Sequence, residues 1–284
     1  MSTDLTILIL TFNEEKNLPE CLASLNGIEA KILAVDSFST DSTLEILKKH
    51  EIPFLQHEFG NYSLQRNWAQ QQIKTEWVLH IDADERLTPE FVTWYNKSFK
   101  ELSHNASGFM FSRKTMFMNR WIRFGGHYPN FHLRLFKTSF VKCEEKAYDQ
   151  HFIQCAPGNI DVIKHADIIN VVSESLSAFT AQHNKWATSE ANEIFYSKKV
   201  DGEVVSAKFF GTPIERRRWL KTKLFMKSPL FVRPVAYFIY RYFFRFGFLD
   251  GTPGLIFHFL QGFWFRFLVD AKVYELIQSN PSKK

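Results

Sequence analysis

Trp77-Val78-Leu79-His80-Ile81-Asp82-Ala83-Asp84-Glu85 is the stretch on which the fold turns. A largely apolar run ends in two carboxylates spaced Asp-x-Asp, the pattern of a buried strand leaving a sheet and entering a loop. Carboxylates at such a point suit a hard divalent cation, Mn2+ or Mg2+, which prefers oxygen ligands and neutralises charge on a diphosphate. By itself the pair also fits a solvated loop or a helix start, because Leu87-Thr88-Pro89-Glu90 opens a helix just beyond it. The residues upstream weigh towards the first reading.

Working outward, residues 5–10, 31–35 and 53–57 are further apolar or β-rich runs, and residues 14–25, 42–50 and 62–73 carry apolar side chains at three- and four-residue spacing. That alternation predicts βαβ units, a parallel sheet and right-handed crossovers. A polar cluster follows three of the runs: Thr11-Phe12-Asn13-Glu14-Glu15, Asp36-Ser37-Phe38-Ser39-Thr40-Asp41, and Asp82-Ala83-Asp84. In an open α/β sheet the ligand crevice lies at the carboxyl ends of the strands, so clusters far apart in sequence are expected to meet there. Plainer roles compete: Asn13 as a cap of the next helix, Asp36 as a solvated loop acid, and Ser39 or Thr40, for which capping is the expected role, at the helix near Ser42. An acid closing the second strand of a nucleotide-binding sheet also accepts a hydrogen bond from ribose or base. No G-x-G-x-x-G and no G-x-x-x-x-G-K-[ST] occurs in this half, which disfavours a dinucleotide oxidoreductase and a P-loop NTPase.

Four motifs in this order and spacing closely resemble glycosyltransferase family 2: residues 8–15, residues 35–43, Gln65-Arg66-Asn67-Trp68-Ala69, and residues 79–85. Arg120-Trp121-Ile122-Arg123-Phe124-Gly125-Gly126-His127-Tyr128-Pro129 and Arg134-Leu135-Phe136 look most like the branch containing lipopolysaccharide-core β-glucosyltransferases. The resemblance implies a GT-A fold, an α/β architecture with an open, mostly parallel sheet flanked by helices, and metal-dependent, inverting transfer from a nucleotide-diphosphate sugar. It implies that Thr11, Asn13, Glu14 and Asp36 hold base and ribose. Asp82 would contact ribose or metal, Asp84 would be the main metal ligand, and Gln65, Arg66 and Asn67 would face the nucleotide. Arg66 offers a forked donor to phosphate, or is a surface helix arginine.

Inverting transfer needs a base opposite the leaving diphosphate. In many relatives it is an acid after the Arg-Leu-Phe element; here that region reads Lys142-Cys143-Glu144-Glu145-Lys146-Ala147-Tyr148-Asp149-Gln150-His151, without the usual pairs. Asp149 is the first candidate and Glu145 the second, against a loop acid that caps a turn. His127 completes the metal shell or donates to the diphosphate, unless it is simply a satisfied histidine. Arg134 is expected on the same rim, contacting phosphate or acceptor.

At 284 residues the chain supports one catalytic domain, 1–207, with an extension, 208–284. Three cysteines without framework or metal spacing suggest a reducing compartment, and a strand within four residues of Met1 leaves no room for a signal peptide. From Lys208 onward fourteen Lys and Arg stand against four Asp and Glu, a balance of +10 that leaves −5 for residues 1–207. Arg233, Tyr237, Arg241 and Arg245 recur every four residues in a Phe- and Tyr-rich stretch, and His258, Gln261, Arg266 and Asp270 form a second polar stripe. Arginines within the run disfavour a spanning helix. Interfacial helices are expected, with arginines at the anionic headgroups of a membrane surface; packing on the catalytic domain or between subunits, giving a homo-oligomer, is the alternative. Nucleic acid is disfavoured, since the sheet domain is acidic and no nucleic-acid module is present.

The sequence reading is thus a cytoplasmic enzyme, peripheral on the inner face of the membrane. It moves a hexose from a nucleotide-sugar donor, UDP-linked, to a glycan or lipid-linked acceptor. Transfer is non-processive, because the Gln-x-x-Arg-Trp motif of processive synthases is absent. A nucleotidyltransferase is disfavoured for want of a glycine-rich first loop, and a degenerate scaffold is the remaining alternative.

Overall fold

The computed structural model describes residues 4–146, 150–172, 175–196, 208–211 and 213–280. The strands and helices of the first hundred residues alternate as expected: β1 (Leu5–Thr11), α1 (Leu18–Ser24), β2 (Lys31–Asp36), α2 (Thr43–Lys49), β3 (Phe54–Gln56), α3 (Tyr62–Gln71) and β4 (Trp77–Asp82). After a two-residue turn come β5 (Glu85–Leu87), α4 (Pro89–Trp94), a π-type turn and the short α5 (Lys100–Leu102). Then follow β6 (Gly108–Phe117), β7 (Arg120–Ile122), β8 (Phe131–Lys137), β9 (Val141–Cys143), β10 (Phe152–Gln154) and β11 (Ile160–Val171). The remainder is helical: α6 (Leu176–Tyr196), α7 (Pro213–Trp219), α8 (Val232–Ile239), α9 (Gly251–Phe257) and α10 (Phe265–Ser279). π-type turns extend α7 and α8 and join α9 to α10.

Contacts divide the chain into two compact units. The first comprises the residues up to Arg113 with Phe131–Glu144 and Gln150–Asn170; the second comprises Lys114–Asn130, Glu145 and Lys146, and the chain from Val171. The division differs from a cut after residue 207, which itself lies outside the described residues: the hairpin around β7 and helix α6 belong with the C-terminal helices.

In the first unit the strands run in the order β3-β2-β1-β4-β8-β6-β11-β5. β3, β2, β1 and β4 pair in parallel, as the βαβ pattern predicts, and β4–β8, β8–β6 and β11–β5 pair antiparallel. Leu5, Ile7 and Ile9 of β1 and Trp77, Leu79 and Ile81 of β4 form the core with Leu18, Leu22, Phe91, Phe99, Phe109 and Leu135, and Leu8 and Val78 on the opposite face are buried as well, which is why these strands read as continuous apolar runs. The order reverses at β1: β2 lies on one side and β4 on the other, with Thr11 opposite Asp36 and Leu10 opposite Asp82. The three polar clusters therefore meet at one sheet edge.

In the second unit β7 pairs with the end of β6, and Phe117, Ile122, Phe179 and Phe257 form one apolar cluster. Ala187, Ala191, Phe265, Val269 and Val273 form another between α6 and α10.

Candidate active site

The loops after β1 and β2 are stitched together by their own side chains. Asp36 is fully buried: Oδ1 accepts from Thr11 Oγ1 at 3.0 Å and from Ser39 Oγ, while Oδ2 accepts from Ser39 N at 2.9 Å and Gln56 Nε2 at 3.2 Å. Asn13 adopts φ 55°, a left-handed backbone that asparagine tolerates. Its Oδ1 accepts from Thr40 N at 2.8 Å and its own N donates to Ser39 Oγ at 2.9 Å. Asn13 thus bridges two loops instead of capping α1, and Ser39 and Thr40 do not cap α2. Asp41 holds that helix start, accepting from Thr43 N at 3.0 Å and Thr43 Oγ1 at 2.6 Å. An ionised carboxylate suits this place because it accepts both bonds and complements the positive helix end. Glu14 N donates to Thr43 Oγ1 at 2.8 Å, and burial, with Asp82 and Asp41 acting the same way, raises the Glu14 carboxyl against the lowering bond from Asn17.

At the end of β4 the two aspartates differ in their surroundings. Arg66 Nη2 reaches Asp82 Oδ1 and Oδ2 at 3.1 and 3.2 Å, and Arg134 Nη2 reaches Oδ2 at 3.2 Å. Burial alone would raise the Asp82 carboxyl, but the two guanidiniums outweigh it and hold it well below the usual carboxylate range. Asp84 has no such counterion pair. Its Oδ2 accepts from Asn170 Nδ2 at 3.1 Å, and burial plus the charges of Asp82, Glu85 and Glu14 push its carboxyl up to about 8, with Arg113 acting against them. Once ionised, Asp84 is the less balanced of the two carboxylates. Among the described residues no three His, Cys, Asp or Glu form a ready metal shell. A single under-neutralised carboxylate beside a second one still fits Mg2+ or Mn2+, which keep waters and take further ligands from a diphosphate.

Glu85 and Arg86, which sequence reasoning did not single out, build the turn that presents this pair. Glu85 is fully buried, accepting from Arg134 Nη2 at 2.6 Å and from Asp82 N at 3.1 Å; burial raises its carboxyl despite Arg134. Arg86 Nη1 donates to Ala83 O at 2.8 Å and Glu85 O at 2.9 Å. Arg134 is buried in this network and not on an open rim, because two carboxylates claim its guanidinium from below.

Helix α3 contributes unequally. Gln65 Nε2 donates to Ser37 Oγ at 3.1 Å and its Oε1 lies 2.7 Å from His57 Nδ1, so it braces the β2 loop. Arg66 points to Asp82, packed over the Tyr62 and Phe152 rings. Asn67 exchanges two hydrogen bonds with the Cys143 backbone, at 3.0 and 2.8 Å, and Gln70 donates to Thr138 O and Val141 O. The geometry of Asn67 supports a clamp on β9 in place of the expected nucleotide contact.

Of the two candidate bases, Asp149 lies outside the described residues and Glu145 is exposed. Its neighbour Glu144, absent from the candidates, is fully buried, with Oε1 accepting from His151 N at 2.9 Å and lying 3.1 Å from His151 Nδ1. His127 sits in the second unit, Nε2 3.2 Å from Gln261 Oε1 and its ring edge-on to Phe257.

Residues 6–152 match the family model described as Glycosyl transferase family 2. An uncharacterised glycosyltransferase of Rickettsia typhi is 28% identical over 276 residues, covering 94% of this chain and 86% of that protein. The lipopolysaccharide core biosynthesis glycosyltransferase LpsC of Rhizobium meliloti is 36% identical over 88 residues, 29% of this chain and 32% of LpsC. Among solved structures, residues 1–349 of S. aureus TarS align at 16% identity with a TM-score of 0.47, covering 99% of this chain and 92% of that one.

Proposed function

We propose that this chain, which belongs to glycosyl transferase family 2, moves a hexose with inversion from a UDP-sugar to a hydroxyl of a lipid-linked or surface-polysaccharide acceptor at the inner face of a membrane. The fold is of GT-A type, an α/β sheet flanked by helices. The observation that carries the proposal is the contrast at the end of β4, where Asp82 is already balanced by Arg66 and Arg134 while Asp84 is crowded by like charge.

In this reading the joined loops after β1 and β2, carrying Thr11, Asn13, Glu14 and Asp36, form the floor for base and ribose. Gln65 fixes that floor, and Arg66 and Arg134 hold Asp82 in one orientation. Asp84, with Asp82, would hold Mn2+ or Mg2+, which supplies charge neutralisation for a departing diphosphate. Asp149 and Glu145 stand as the proposed bases that take the acceptor proton; an oxocarbenium-like transition state needs one on the face away from the diphosphate. The similarity to LpsC, though confined to 29% of this chain, favours an envelope glycan acceptor. The missing Gln-x-x-Arg-Trp motif favours single additions.

The test is incubation of the purified chain with Mn2+, a panel of UDP-hexoses and a lipid-linked oligosaccharide or lipopolysaccharide-core acceptor, with the new linkage read by NMR. A single β-linked hexose from an α-linked donor is expected. An α-linked product, or transfer of a nucleotidyl group, contradicts the reading.

A further inference from the structure

We propose that the second unit binds a bilayer carrying anionic headgroups through the outward faces of α8 and of the helix running from α9 into α10. The inference deepens the reading of a lipid-linked acceptor, and rests on it only for its purpose, by naming the surface that brings the chain to that lipid.

Beside its apolar clusters the unit buries charged and polar side chains of these helices, while many of their large apolar side chains are exposed. Arg233 is buried, its Nε donating to Asp270 Oδ1 at 2.8 Å, while Asp270 Oδ2 accepts from Phe231 N at 2.8 Å. Arg241 is buried, donating to Gly125 O at 2.7 Å and Gln261 Oε1 at 3.2 Å. Asp250 is buried and accepts from the backbone N of Arg123 and Phe124 at 3.2 and 3.0 Å, and His258 is fully buried. Apart from Arg245, which is exposed, the two polar stripes legible in the sequence therefore face inward. They do not lie at a headgroup layer, because their side chains are consumed by internal hydrogen bonds and ion pairs.

What faces out is the other side of the same helices. Val232, Val235, Ile239 and Phe243, spaced three or four residues apart along one face, are exposed, and Phe244 and Phe246 extend the patch past the end of the helix. Leu255, Phe259 and Phe267 continue it along the second helix, where Phe238 contacts both Phe259 and Phe263. Of the twenty-seven exposed large apolar side chains among the described residues, seventeen fall between Phe209 and Tyr274. A water-facing helix shows the reverse pattern, and an apolar patch of this extent marks a surface that is covered in use.

Charge selects the cover. Arg245 is exposed between Phe244 and Phe246, and Arg216, Lys223 and Lys227 are exposed elsewhere in the same unit, whereas of the acids on these helices Asp250 and Asp270 are buried and Glu275 is exposed. Two copies of this chain meeting across the patch would bring like charges together, whereas anionic headgroups are complementary to the cations and acyl chains to the rings. No helix among the described residues is long and apolar enough to cross a membrane, so the helices lie along the surface.

The experiment is flotation of the full chain with vesicles of phosphatidylcholine alone or with added phosphatidylglycerol, without nucleotide, beside the doubly substituted Phe243→Ser, Phe244→Ser chain. Both side chains are exposed, at 55% and 70%, so melting temperature and UDP binding should not change. Binding to phosphatidylglycerol vesicles should fall by roughly tenfold or more in the variant, the order expected for two phenylalanines leaving an apolar phase. Should that variant misfold, Lys223→Glu with Lys227→Glu decides, again by loss of binding. The proposal is overturned if the unsubstituted chain stays out of phosphatidylglycerol vesicles, if the variants bind equally well, or if light scattering shows a dimer that the Phe substitutions split while vesicles bind neither form. UDP binding measured without vesicles keeps failure here distinct from failure of the donor site.

Discussion

Asp82 and Asp84 sit two residues apart with opposite electrostatic fates, and the difference is made by side chains from elsewhere in the fold. Asp84→Asn should abolish Mn2+-dependent UDP binding. It should also raise the melting temperature of the metal-free protein, because a carboxyl no longer has to be buried among the like charges of Asp82, Glu85 and Glu14. Calorimetry and a thermal melt with EDTA check the two halves; a variant that loses binding by unfolding contradicts the account. Arg134→Met should destabilise the fold by about 3–5 kcal/mol, since it strands the buried Glu85 carboxylate, read as a lower urea midpoint at unchanged slope. The aspartates were legible because strand-end acids follow an apolar run. Glu85 and Arg113 were not, because their roles depend on Arg134 and on the acid cluster, remote in sequence, and Arg86 was not, because its bond to the Ala83 carbonyl, three residues away, is a turn contact that no side-chain pattern marks.

The elements of the first hundred residues were legible for a similar reason. β1 and β4 are buried on both faces and read as apolar runs, whereas β5, β7, β9 and β10 span three residues each and leave no period to find. The C-terminal helices show the limit of a period: it places Arg233, Tyr237 and Arg241 on one face, but only the partners Asp270, Gly125 and Gln261 say that the face is inward. At α3, Asn67→Ala should cost about 1–3 kcal/mol, because the Cys143 backbone loses both partners in a half-buried place. UDP affinity should change little, in contrast to Arg66→Ala. At α6, burial lowers the His183 imidazole to about 4, helped by Arg266 and opposed by the bond to Phe179 O. The folded state then binds fewer protons than the unfolded one between about 6.5 and 4, so stability present above pH 6.5 is lost as pH falls towards 4, by up to about 3 kcal/mol. Urea titrations across that range should show the slope, and His183→Gln should flatten it.

For the molecule as a whole, the acidic first 207 residues and the +10 tail were visible in composition, while the two compact units were not. The hairpin around β7 joins the C-terminal unit through contacts such as Phe117 with Phe257, more than a hundred residues apart, which no local pattern announces. The central claim concerns the first unit: three loop clusters at the carboxyl ends of β1, β2 and β4 form one donor site. Calorimetric titration of the full chain with UDP, GDP, ADP and CMP, each with Mn2+ and with EDTA, tests it most directly. Binding of UDP in Mn2+, lost in EDTA and not shared by the other nucleotides, is the predicted result; binding of none of them in Mn2+, or of UDP equally well in EDTA, would contradict it.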